Sequence, residues 1–182
     1  MFIESFSMTQ FDSMTRQELI KVYQEVISKP PPVKARKEFL LGNISWHIQA
    51  QSISKNIEIY NHEVNINIKR CGFETKLIVN SEEQVKLEPH PDSLKAIKKG
   101  VRQGLEWNQT LVLGEADSAK EIAEKLNISD RYVCQCIRLA YLSPDNIKRI
   151  FKGDIPFDMT LTKLKKGFPL DWEKQKTLFA TS

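Results

Sequence analysis

The chain has 182 residues, 41% of them hydrophobic and 27% charged, with a formal net charge of +4. That length allows one domain or two small ones, and the composition excludes a disordered or fibrous protein. No apolar run approaches the roughly 18–20 residues that span a bilayer. The opening MFIESFSMTQF has neither a basic lead nor an apolar core, so no secretory signal is expected there. Three cysteines without a paired framework point to a reducing compartment, and a cytoplasmic location is expected.

In chain order, residues 1–13 lack periodicity and read as a loose leader. Residues 14–52 read as a helical hairpin. Thr15 and Glu18 stand at capping-box spacing, and Leu19, Tyr23, Val26 and Ile27 recur at helical intervals. Pro30, Pro31 and Pro32 end that helix, because proline lacks the amide donor and its ring clashes with the preceding turn. A second helix over 34–51 offers Leu40, Leu41, Ile44 and Ile48 to a core.

From residue 53 to 88 the period becomes two. Ile57 and Ile59, then Val64, Ile66 and Ile68, alternate with polar residues, with a turn near Asn61-His62. A further strand, ETKLIVN, follows Cys71-Gly72, so a small antiparallel sheet of about three strands is expected. Pro89 and Pro91 mark a linker, and Asp92 or Ser93 is placed to cap the next helix.

Residues 92–182 read as helical. Leu94, Ile97, Val101 and Leu105 share one face of the first helix, with Lys95, Lys98, Lys99 and Arg102 over the rest. Further on, Ser143, Pro144 and Gly153 mark the start and stop of another helix. Two short helices are expected around 160–166 and 171–178. The whole is therefore predicted to be α+β, mainly α.

Residues 119–141 have the pattern of a helix-turn-helix. Ile122, Ala123 and Leu126 face inward from the first helix, with Ala123 as the small residue at the crossing. Ile128 plugs the turn, Val133 and Ile137 face inward from the second helix, Asn127 suits a left-handed turn position, and Ser129 caps. The second helix would then present Ser129, Asp130, Arg131, Cys134, Gln135 and Arg138 outward. Gln135 has the chemistry to bond adenine N6 and N7, and Arg131 suits guanine or a phosphate. Asp130 suits cytosine N4 or a helix cap.

Charge favours the same segment. Residues 93–152 carry eleven Lys and Arg against seven Asp and Glu, so nearly all the excess lies there. A local positive excess is the footprint expected of phosphate contact. Lys95, Lys98, Lys99, Arg102, Arg138, Lys148, Arg149 and Lys152 are the phosphate-contact candidates.

Cys134 and Cys136, two apart on a helix, point about 200° apart and cannot chelate one ion or close a disulfide. His47, His62 and His90 lie in separate segments. No metal or cofactor is therefore expected, and no nucleophile or P-loop spacing suggests an enzyme.

The run RLAYLSPDNIKRIFKG resembles the helix-turn-helix region of ParB-like DNA-binding proteins. Over about residues 55–180, GLEWNQTLVLGE, LAYLSPDNIKRIFKGDIP and LTKLKKGFPLDWEKQ, with the strands upstream, resemble the C-terminal DNA-binding region of phage and prophage serine recombinases. Residues 14–52 are similar to a small phage-associated family of unknown function, with Pro31, Pro32, Leu41 and Gln49 in matching places. Residues 1–52 hold only Arg16 and Arg36 and are too short for a recombinase catalytic domain, so the resemblance implies DNA binding without cleavage. It implies Arg131, Tyr132, Gln135 and Arg138 as contacts. Ser129, Arg131, Tyr132 and Gln135 are the expected base contacts.

The expectation is a sequence-specific, double-stranded-DNA-binding protein of a phage or mobile element, regulating transcription or assisting a separate recombinase. A homodimer or second contact element is expected to lengthen its footprint. The alternative is a module that docks a recombinase or another phage protein without binding DNA.

Overall fold

The computed structural model describes residues 11, 13–56 and 90–179. Helix α1, Arg16–Ile27, begins at a capping box. The Thr15 hydroxyl accepts from the Glu18 amide, and the Glu18 carboxylate accepts from the Thr15 amide at 2.7 Å. It ends at Ser28, which takes the left-handed conformation (φ 58°), and the three prolines come next. Helix α2, Lys37–Asn56, packs back on α1, with the Tyr23 and Phe39 rings 6.2 Å apart.

Helix α3, Pro91–Leu113, is capped by His90, whose Nδ1 accepts from the Asp92 amide, so the cap stands earlier than the expected Asp92 or Ser93. Its buried face is Ile97, Gly100, Val101, Gly104, Trp107 and Leu111, while Leu105, expected inside, is exposed. Helices α4, Ala119–Leu126, and α5, Asp130–Arg138, lead into a short 3-10 turn, Leu139–Tyr141. Then come α6, Pro144–Lys152, α7, Leu161–Lys166, and α8, Trp172–Leu178.

The expected α+β class needs correction: among the described residues every regular element is helical. Residues 53–56, placed at the start of the sheet, continue the last turn of α2. The alternating runs from Ile57 to Asn80 lie outside the described residues.

One apolar cluster joins both ends of the chain, running from Leu19, Tyr23 and Leu40 through Val101, Val133 and Leu142 to Phe179. Buried polar ties reinforce it. The Gln175 side chain, with no exposed surface, accepts from the Ser143 amide at 2.8 Å and donates to the Tyr141 and Pro169 carbonyls. Gln49 of α2 donates to the Leu170 carbonyl and accepts from the Trp172 amide at 2.8 Å. The hairpin is thereby fastened to the C-terminal segment. No helix among the described residues is long and apolar enough to cross a membrane.

Candidate nucleic-acid interface

The α4–turn–α5 unit starts with Ser118, whose hydroxyl accepts from the Glu121 amide. Asn127 closes α4 in the left-handed region (φ 53°, ψ 46°), where an asparagine costs less than most residues. Its amide and that of Ile128 bond back to the Glu124 and Ala123 carbonyls, so the chain turns sharply. Ser129 then caps α5, its hydroxyl accepting from the Tyr132 amide at 3.2 Å.

Ile122, Ala123, Val133 and Ile137 are buried, as the spacing predicts. Leu126 and Ile128 are not. They are 51% and 37% exposed, because the turn lies at the edge of the unit rather than beneath another element. Their assignment to the core is corrected accordingly.

Helix α3 supports α5 from behind at very close range. A Cβ on Gly104 would stand 2.0 Å from the Cys136 carbonyl oxygen, so only glycine allows the two backbones to meet there. Beside this crossing Tyr132 is drawn inward. Its ring stands edge-on to Trp107 at 6.0 Å, its hydroxyl bonds Gln103 at 3.0 Å, and Lys165 lies over its outer face at 4.0 Å. Burial raises its pKa. Tyr132, half-buried, therefore also positions α5 against α3.

What α5 leaves outward is Arg131, exposed, and Gln135, half-buried, continued by Arg138. Arg138 is partly engaged already. It donates to the Phe168 carbonyl at 3.3 Å and lies 5.8 Å from the centre of the Phe168 ring.

A groove of about 650 Å³ runs along this face. It is lined by the segment after the prolines, with Lys34, Arg36 and Glu38, by Lys120 at the start of α4, by α5 and by Lys165 on α7. Arg36 donates to Asp130 at 2.8 Å and to the Cys134 sulfur at 3.3 Å. Burial pushes the Cys134 thiol up while Arg36 pulls it down, so Cys134 stays protonated at neutral pH and packs as a small, weakly polar group. Cys136 is fully buried.

The lining carries six basic side chains against two acidic ones, an excess equal to the formal net charge of the entire chain. Of the eight expected phosphate contacts, only Arg138 lies in it. Lys95, Lys98, Lys99 and Arg102 sit on α3 outside the groove, and Lys95 is 3.8 Å from Asp92. Lys148, Arg149 and Lys152 sit on α6, where Arg149 pairs with Asp154 at 2.9 Å. Lys34, Arg36, Lys120 and Lys165 are not evident from sequence because they come from three distant segments. The run VKARK directly after the prolines is the available signal.

No group of three or more His, Cys, Asp or Glu at metal-binding spacing occurs among the described residues. Comparison of the chain with protein families, with curated proteins and with solved structures gives no match.

Proposed function

We propose that this chain binds double-stranded DNA, with α5 entering a major groove and Arg131 and Gln135 meeting base edges. The observation that carries this reading is the excess of basic side chains, from four segments, in the groove that the second helix of a capped helix–turn–helix lines. The resemblance of LSPDNIKRIFKG and PLDWEKQ to recombinase DNA-binding regions supports the same class and a setting in a phage or mobile element. The role is then that of a transcriptional regulator or a recombination accessory factor.

The test is selection of preferred duplexes from a random pool, followed by binding measurements on single-site variants. Arg131→Ala and Gln135→Ala should each lose discrimination between the selected site and its point variants, by about 1–3 kcal/mol per lost base contact. Failure to enrich any sequence, with no salt-dependent binding, would overturn the reading.

A second reading, a docking module for a recombinase or another phage protein, is favoured by the exposed Leu126 and Ile128 at the turn. In that case polar substitution of those two residues, and not of Arg131, would abolish function in the phage or element.

A further inference from the structure

The N-terminal hairpin takes no part in base contact by α5, yet its proline elbow lines the groove. We infer that the elbow, residues 30–36, is a fixed second contact on the same duplex. Lys34 and Arg36 would take phosphates beside α5, as would Lys165. This inference rests on the DNA-binding reading of α5.

The elbow is held from three directions. The Lys34 amide donates to the Asp117 carbonyl at 3.3 Å, beside the start of α4. From α1, Arg16 donates to the Ala35 and Val33 carbonyls, and the three prolines restrict the backbone leading in. Behind it, α2 is locked to the rest of the fold. Asn43 bonds Asn108 at 3.1 Å and Tyr141 at 3.3 Å, and Gly42 admits the Tyr141 ring so closely that a Cβ would stand 2.1 Å from it. Pro32 and Ala35 are buried, so the elbow cannot swing aside without exposing them, and it borders the same groove as Arg131 and Gln135.

Its chemistry suits that meeting. Lys34 is exposed and Arg36 is largely so. The Arg36–Asp130 pair is open to water on both sides, with side chains 58% and 42% exposed, so it is weak. Arg36 also neutralises Asp130, the acidic residue in the first turn of α5. A planar guanidinium with several donors can serve a carboxylate and a phosphate together. A backbone contact from a preceding segment also explains how one short recognition helix could hold a duplex without a longer reading surface.

Phosphate contacts carry no sequence information, so the experiment needs no known site. Anisotropy of a labelled random-sequence duplex of about three helical turns would be titrated at several salt concentrations with the full chain. Lys34→Ala should make the plot of log K against log salt shallower by about 0.9, and Lys34→Ala/Arg36→Gln by about 1.8. Lys21→Ala/Lys29→Ala, which removes two exposed charges of the same hairpin outside the groove, should leave the slope unchanged. Wild-type binding with unaltered slopes for both elbow variants overturns the inference alone, as does an equal loss in the Lys21/Lys29 variant. A wild-type chain that binds no duplex at any salt overturns the DNA reading as well.

Discussion

Gly104 of α3 meets the backbone of Cys136 of α5 so closely that a methyl group added to the glycine would lie 2.0 Å from the cysteine carbonyl oxygen. This contact sets the height of α5 above α3, and with it how far Arg131 and Gln135 project. Gly104→Ala should cost about 1–3 kcal/mol from overpacking, offset in part by the roughly 1 kcal/mol that alanine adds to a helix. Urea unfolding measures it. A variant as stable as the parent would show that the crossing relaxes freely.

Gln175 bonds four groups, three around the 3-10 turn and the start of α6 and one, the Pro169 carbonyl, ahead of α8, from a site without solvent. Gln175→Met keeps the volume and leaves the Ser143 backbone amide, the Asn146 side-chain amide and the Tyr141 and Pro169 carbonyls without this partner. Each orphaned group costs about 1–3 kcal/mol, so a fall in the unfolding midpoint well beyond that of an exposed Lys176→Met control is expected. Equal midpoints would mean that the ties contribute nothing.

Asp130→Asn should separate stability from binding. It removes a favourable charge at a helix N-terminus and an exposed ion pair, at a cost under about 1 kcal/mol. It also removes a negative charge from the groove, so affinity for random duplex should rise, most at low salt. Lower affinity would instead show that Asp130 acts through Arg36, holding that guanidinium in place.

His47 lies half-buried with its ring edge-on to Trp46 at 5.3 Å, and burial lowers its pKa. The unfolded imidazole takes a proton near pH 6.5, whereas the folded one resists until lower pH. Its contribution is therefore complete above about pH 6.5 and is lost as pH falls below that. The unfolding midpoint of the parent should drop between about pH 7 and 5, and that of His47→Gln should drop less. Parallel pH profiles would remove His47 as the cause.

Local signals are legible where one residue decides one backbone conformation. Thr15 with Glu18, Asn127, Ser129 and Ser143 with Pro144 all act where the sequence places them. Residues 53–56 mislead because a strand pattern begins just beyond them, while they themselves continue the helix that starts at Lys37. Leu126 and Ile128 satisfy the spacing of an inward face, but spacing is silent about whether another element covers it. The groove is the least legible feature. Its basic residues are split among the elbow, α4, α5 and α7, and only the fold brings them together. The Gly100–Gly104 spacing within α3 does signal a close helix crossing, though not its partner.

The most direct measurement is a backbone amide NMR titration of the chain with a short duplex. Binding through the groove predicts that shifts concentrate at residues 34–36, 118–120 and 129–138. Shifts confined to the basic residues of α3 and α6, at 95–102 and 148–152, would place the interface elsewhere, and no shifts at low salt would contradict DNA binding itself.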